Sequence, residues 1–443
     1  MSKISPIRTA PSALTSLQQN FCLMKMAGDI WVIENSQPIA GPSELQFYKL
    51  GPAKLLMTRY LETQPFRDKP SEVIAQFLVS PNTTVYDTIA FSPLPTPPTT
   101  LNLWQGCPIQ PLQGDCTIIQ RFLLEMICDG DMVLYRYLTL FLAHMLQKPE
   151  EKPGVMIVML GGEGIGKGAF FRLLQALWMH STLFVSDIND VLGQFNAGIE
   201  RSFVICMDEA LFVGDKRAAD RLKSFVTEPC VTIEQKYQPR RTIESYHRLF
   251  ASSNRAHFAQ VASDDRRFVF LQVSEARKGD FDFWAACHNA IADPAVLAAF
   301  VHELLSFDIR RFNPRVRPKT AAHLDQKLRS LAGFDRFWNE VLQAGMIDSG
   351  DPIGGHLPWE AETFVSTRRL MNAWQAYERR GRSQFIAPQE RDMHQALARL
   401  CPSATRRRMA SEGCQQRGYD LPPLPLARAE FANFLGGEVQ WDE

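Results

Sequence analysis

Between Val155 and Leu160 the chain runs through six consecutive apolar residues and then breaks into Gly161-Gly162-Glu163-Gly164-Ile165-Gly166-Lys167-Gly168. Continuous apolarity over so short a span, bounded by glycines, predicts a strand buried on both faces. Past the glycines, Phe170, Leu173, Leu174 and Leu177 recur at helical spacing and predict an amphipathic helix. The same pattern predicts apolar strands at Arg201–Met207, ending in Asp208-Glu209, and at His247–Ser253, ending in Asn254, with a shorter one at Val269–Val273. Upstream, Asp29–Ile33 and Lys54–Met57 read as short strands and Ser71–Val79 as a helix. Thr117–Leu146 fits two helices parted by Asp129-Gly130-Asp131. Downstream the chain turns helical at Phe281–Ile291, Val296–Leu305 and Leu328–Leu342. Its last part predicts helices from Thr367 and from Gln389, then strands at Cys414–Tyr419 and Arg428–Phe434.

These elements group into an N-terminal α+β domain (1–100), a helical collar (101–152), an α/β core (153–275), a helical region (276–348) and a C-terminal helical or winged-helix domain (349–443). The prolines of Phe91–Thr100 stiffen the chain, exclude a central strand and mark the first boundary. A formal net charge of 0 argues against a generally basic nucleic-acid coat but leaves room for a local basic channel. The scattered cysteines form no C-x-x-C pair, so neither zinc nor a disulfide framework is expected, and Cys206 and Cys230 read as buried thiols. Without a signal-like start or an apolar run of membrane length, the expectation is a cytosolic protein with no membrane partner.

Chemistry enters at the glycines. Backbone N–H groups converging ahead of a helix N-terminus, with a lysine for charge, make a cradle for polyphosphate. Residues Gly161, Gly162, Glu163, Gly164, Ile165, Gly166, Lys167, Gly168 and Ala169 are therefore the candidate nucleotide loop, with ATP and Mg2+ as cofactors. Gly161 and Gly166-Lys167 meet the G-x-x-x-x-G-K spacing, but Gly168 stands where a Ser or Thr would touch the metal. The acidic pair follows about 40 residues later, a spacing that suits one parallel sheet. Asp208 is the candidate metal residue, Glu209 the candidate general base, and Asn254 a candidate contact to the attacking water or γ-phosphate. Arg266 and Arg267, after Asp264-Asp265, are candidates for an arginine finger given to a neighbouring subunit; local salt bridges to the two aspartates are the competing reading. The stretch after Pro229 alternates like a hairpin that carries Lys236, Tyr237, Arg240 and Arg241 outward, suited to tracking a nucleic-acid strand or to being simply a solvated charged face. Arg406-Arg407-Arg408 would face phosphate if the C-terminal part is a winged helix.

Together these motifs resemble the superfamily 3 helicases of viruses, phages and plasmids, and more closely the phage and prophage primase-helicases with a DUF5906-type (D5-like) motor. The likeness spans about Leu101 to Ser274. It rests on Asn102–Gly106, the glycine loop with glycine after its lysine, Leu192–Asn196, Asp208-Glu209-Ala210, Leu222–Glu228 and Asp264–Phe268. It implies a P-loop, AAA+-like core, hexameric rings on single-stranded DNA, ATP hydrolysis between subunits, and a DNA-tracking hairpin lysine; Lys236 is the candidate, with Lys223 added to the DNA-contacting set. It further implies replication of a phage or mobile element in the cytoplasm of a bacterial host. Because the N-terminal part is only about 100 residues long and shows no D-x-D cluster, no primase activity is expected of it, and a separate primase or polymerase is a candidate partner. The principal rival is a non-unwinding origin-binding or defence scaffold whose oligomer is locked by nucleotide. An RNA-directed ATPase of a small virus is a further one.

Overall fold

The computed structural model describes residues 12–26, 28–34, 46–209, 216–236, 239–254, 266–348, 355–380, 388–411 and 414–441. The chain forms two compact units, Met1–Asn254 with Arg267–Arg317, and Arg255–Arg266 with Pro318–Glu443. Among the described residues no single helix is long and apolar enough to cross a membrane.

In the first unit, strands Phe21–Met26, Asp29–Glu34, Phe47–Lys49 and Val85–Tyr86 make a small sheet. Helices Ala13–Asn20, Leu50–Glu62 and Pro70–Val79 share with it a core around Leu17, Met57 and Phe77. Lys54–Met57, expected as a strand, lies inside the second of these helices. Ala53, Met57 and Leu61, four apart, are buried while Leu55 is 70% exposed, so the helical period decides the element. The proline-rich stretch is pinned at its start: Phe91 packs on Trp104 (5.3 Å between ring centroids), which in turn packs on Phe203 (4.8 Å). Of the two collar helices, Thr117–Arg121 continues as a π-helical turn through Ile127. It stops where Asp129 and Gly130 adopt φ of 49° and 76°. Met132–Gln147 follows, its N-terminus capped by the Asp131 carboxylate, which accepts from the Val133 and Leu134 amides.

The centre is a five-stranded parallel sheet: β1 (Met156–Leu160), β2 (Thr182–Val185), β3 (Val204–Asp208), β4 (Arg248–Ser253) and β5 (Phe268–Gln272), in spatial order β5-β1-β4-β3-β2. All of β1 is buried, as unbroken apolarity requires of a strand covered on both faces. Helices α1 (Lys167–Leu177), α2 (Lys216–Thr227), α3 (Phe281–Ala292) and α4 (Pro294–Ser306) complete the unit, with α1 burying Phe170, Leu173, Leu174 and Leu177. Between α2 and β4, strands Cys230–Ile233 and Arg241–Glu244 form an antiparallel hairpin. Cys230, expected to be buried, is exposed there because the hairpin covers only one face.

The second unit holds helices α5 (Ala321–Ser330), α6 (Gly333–Ala344), α7 (Thr367–Arg380), α8 (Glu390–Leu400) and α9 (Leu424–Leu435). Strands β6 (Thr363–Ser366), β7 (Thr405–Ser411) and β8 (Cys414–Leu421) form an antiparallel sheet in the order β6-β8-β7. Trp338, Trp359, Leu397 and Phe431 lie in its core. Leu328–Leu342, expected as one helix, is broken at Leu331-Ala332, which are extended, and restarts at Gly333 with φ +54°. Arg428–Phe434, expected as a strand, belongs to α9: Ala427, Phe431 and Leu435 recur every four residues and bury one helical face.

Candidate functional site

Parallel pairing fixes where the candidate residues meet. β1 runs straight into the glycine loop, β3 ends at Asp208, and β4 ends one residue before Asn254, so all three deliver polar groups at the same edge of the sheet. β4 lies between β1 and β3, which puts Asn254 between the lysine and the acids. The Lys167 ammonium donates to the Asn254 Oδ1 (2.6 Å), to the Gly161 carbonyl (2.7 Å) and to the Gly162 carbonyl. The Asn254 amide in turn donates to the carboxylates of Glu209 and, at 3.4 Å, Glu163. Asp208 accepts from the Ser252 hydroxyl, two residues from Asn254 on the adjacent strand. Burial pushes the Lys167 pKa down, while Asp208, Glu209, Glu163 and Glu275 pull it back up. The ammonium is thus held by carbonyl dipoles and nearby carboxylates, groups that an incoming phosphate would replace.

Backbone strain and close packing shape the loop. Gly161, Gly164 and Gly166 have φ of +147°, +73° and +101°. A Cβ on Gly166 would lie 2.2 Å from the Trp284 ring, so this glycine is required both by its conformation and by the indole packed on it. Trp284 is itself held by its indole N–H donating to the Arg277 carbonyl at 2.8 Å. Glu209 has φ +53°, an uncommon conformation for a non-glycine residue and one that turns its carboxylate back towards Asn254.

The cavity over the loop, about 370 Å³, is lined by Glu163, Gly164, Gly166, Lys167, Gly168, Ala169, Arg172, Asp208, Glu209, Asn254, Trp284 and His288. Arg172, Trp284 and His288 were not among the sequence candidates. Trp284 and His288 sit one turn apart on α3, more than 110 residues beyond the loop, and no local spacing reports them. Three carboxylates face one lysine and one arginine here, a surplus of acid that would suit a divalent metal beside a polyphosphate. Asp208 is the residue here that could hold Mg2+ with water completing the shell; among the described residues no group of three or more His, Cys, Asp and Glu side chains is placed to hold a metal ion. Gly168 and Ala169 offer no hydroxyl, though a Cβ on Gly168 would meet nothing within 4 Å.

The remaining candidates lie elsewhere. Arg267 precedes β5 at the opposite end of the sheet: its carbonyl accepts from the Met156 amide at the start of β1 (2.8 Å). Five residues of β1 separate that point from the loop, about 13 Å of strand. Arg267 is half-buried and Arg266 exposed; Asp264 and Asp265 lie outside the described residues. On the hairpin, Lys236 is exposed, with its ammonium 5.2 Å from the ring centroid of Phe195. Arg240 is exposed and paired with Glu234 (2.8 Å). Arg241, expected to point outward, turns in: its guanidinium makes two bonds, 2.5 and 2.6 Å, to Glu200, whose side chain is 2% exposed. Lys223 is half-buried on α2, 3.6 Å from Asp220, and Tyr237 lies outside the described residues.

Residues 159–267 match a family of unknown function, DUF5906. The chain is 24% identical over 193 residues to the DNA primase-polymerase of Nitratiruptor phage NrS-1, an alignment covering 42% of this chain and 26% of that protein. It therefore spans about a quarter of that relative's length. Among solved structures it resembles the apo C-terminal region of NrS-1, with a TM-score of 0.64 at 14% identity over 92% of this chain and 97% of that one. An A-form apo structure of the same region gives a TM-score of 0.62 at 13% identity, covering 92% and 98%. At such identities the likeness is one of fold: a mixed α/β chain similar to that C-terminal region.

Proposed function

We propose that this chain is an ATP-hydrolysing motor of phage or mobile-element DNA replication, a superfamily 3 type helicase or translocase that works as a ring, six-membered by resemblance, on single-stranded DNA. The observation that carries the reading is the meeting of Lys167, Asn254, Glu209 and Asp208 at one edge of a parallel sheet of order β5-β1-β4-β3-β2. Likeness to a phage primase-polymerase over 193 residues supports the replication setting.

In this reading the loop amides and Lys167 bind the β- and γ-phosphates, and the ammonium exchanges its bonds to the Gly161 and Gly162 carbonyls for phosphate oxygens. Glu209 takes the proton of the attacking water. Asn254, bonded at once to the lysine and to that base, registers whether the γ-phosphate is present. Asp208, its carboxylate oriented by the Ser252 hydroxyl, would hold Mg2+, which would supply positive charge beside the phosphates. Arg267 or Arg266 acts on the neighbouring subunit's nucleotide, since Arg267 sits at the far end of its own sheet. Lys236 and Arg240, with Lys223 and Tyr237, contact DNA phosphate or bases, whereas Arg241 braces the hairpin through Glu200. The C-terminal unit, with helices α6 to α8 and strand order β6-β8-β7, has the succession of a winged helix. The motor works in the host cytoplasm and a separate primase or polymerase supplies primers.

The missing hydroxyl at positions 168 and 169 favours one rival, a nucleotide-locked scaffold that binds ATP without turning it over. An ATPase assay with and without single-stranded DNA separates the two. The motor reading expects DNA-stimulated hydrolysis that Lys167→Ala abolishes; hydrolysis that is absent, or indifferent to both DNA and Lys167, rejects it.

A further inference from the structure

In the C-terminal unit a second cavity, about 350 Å³, opens between α8 and the β7–β8 hairpin. Four arginines line it, Arg406, Arg407, Arg408 and Arg417, with Glu390 the one carboxylate among its lining residues. Arg406 and Arg408 are two apart on β7 and so share a face, about 7 Å apart along the strand. Arg408 lies directly opposite Arg417 in the ladder. Like charges facing each other across an antiparallel pair weaken it. Neither of the two has a carboxylate within salt-bridge distance among the described residues, whereas Arg407, between Arg406 and Arg408 in the same lining, has Asp420 at 3.2 Å. The strand therefore accepts a repulsion that its own folding does not need.

The wall behind these cations is built and fixed. Tyr419, buried opposite Arg406, bonds through its hydroxyl to His394 Nδ1 (2.5 Å) and accepts from Arg406 Nε (3.3 Å). His394 is held from its other nitrogen by Glu390 at 3.0 Å. Gly418 lets β6 come close, since a Cβ there would lie 2.2 Å from the Val365 carbonyl. From this geometry we infer that the pocket grips consecutive phosphates of a duplex DNA backbone, as a site separate from the nucleotide loop and from the hairpin of the first unit. A duplex is the occupant because a single strand is ordinarily held by stacking its bases on exposed aromatics. Here the two rings lining the pocket are tied up with each other: Tyr419 is 4% exposed, and His394 lies against it at 5.6 Å between centroids with both ring nitrogens bonded, to Tyr419 and Glu390.

Binding of the full chain to fluorescent duplex DNA, without nucleotide, tests this independently of ATP hydrolysis. The Arg408→Ala/Arg417→Ala double variant is expected to bind at least tenfold more weakly, and the slope of log K against log salt to fall by about 2. Lys69→Ala, an exposed cation of the first unit outside every site described, should bind as the unaltered chain does. Duplexes with and without a 5′-phosphate should bind alike, since internal phosphates are the ligand. Arg408→Gln separates function from fold: it relieves the facing charges, so its melting temperature should hold or rise while DNA binding falls. Unchanged duplex binding by the double variant overturns the inference. So does a loss confined to single-stranded DNA, a dependence on the 5′-phosphate, or weakened binding by Arg408→Gln that tracks a lowered melting temperature.

Discussion

The glycine loop and the arginine pocket are both strongly charged, but their charge is balanced in opposite ways. Around the loop, Lys167 and Arg172 face Glu163, Asp208 and Glu209, and most of these groups are already bonded to one another or to Asn254 and Ser252. In the pocket four arginines meet one carboxylate, and two of them confront each other across a ladder. In the proposed motor, a surplus of acid next to a lysine calls for added cations when polyphosphate enters, from a metal and from a neighbour's arginine. A surplus of arginine calls for an anion. A third cluster shows what a structural cation looks like here: Arg248, fully buried, donates to the carbonyls of Tyr246, Lys148, Pro149 and Glu151, and Lys152 to those of Phe225 and Glu228.

The sharpest way to break this contrast is at the cations the loop is said to lack. Replacing the finger arginine, Arg267 or Arg266, with alanine should cut kcat about a thousandfold while leaving nucleotide affinity within a few-fold. Mixing each variant with subunits carrying Lys167→Ala should restore part of the activity, because one donates the finger and the other the site. Equal loss of binding and turnover, with no recovery on mixing, would show the arginines to be local braces.

The structural cluster yields a pH dependence. His247 is buried, bonded to the Ser245 hydroxyl and the Ile199 carbonyl, and burial next to Lys152 and Arg248 pushes its pKa from 6.5 down to about 3. Below pH 6.5 the unfolded chain takes up a proton that the folded chain refuses, so stability should fall as the pH drops from 6.5 towards 3. Denaturant titrations at stepped pH should show this slope, and His247→Gln should flatten it, on a baseline lowered by about 1–2 kcal/mol for the imperfectly replaced hydrogen bonds. A slope unaffected by the substitution would place the acid sensitivity elsewhere.

The smallest effect concerns the metal. Since nothing stands within 4 Å of a Cβ on Gly168, Gly168→Ser should fold normally and lower the Mg2+ concentration for half-maximal hydrolysis by a few-fold, about 0.5–1 kcal/mol of added coordination. An unchanged Mg2+ requirement would mean that residue 168 does not face the metal.

Much of the arrangement around the loop was legible in the chain itself. An apolar run into G-x-x-x-x-G-K, an apolar strand ending in Asp208-Glu209 and another ending in Asn254 can meet only if the three strands are parallel neighbours, and they are. What escaped was decided by contacts between distant residues. Trp284 closes on Gly166 from a helix beyond the sheet, and nothing near either residue signals it. Arg241 looked outward by strand alternation, but Glu200, 41 residues upstream, draws it in. Lys54–Met57 and Arg428–Phe434 misled because a short apolar segment fits either period, and only the buried faces Ala53–Met57–Leu61 and Ala427–Phe431–Leu435 distinguish them.

In the proposed motor, the carboxylate beside Asn254 drives hydrolysis of nucleotide held by the glycine loop. Glu209→Gln keeps the size and the hydrogen-bonding reach of the side chain but removes the base, so ATP binding and single-turnover hydrolysis measured side by side test it directly. ATP affinity should stay within a few-fold of the unaltered chain and hydrolysis should slow at least a hundredfold, as expected for loss of a general base. Hydrolysis at the unaltered rate, or binding and hydrolysis lost together, would contradict it.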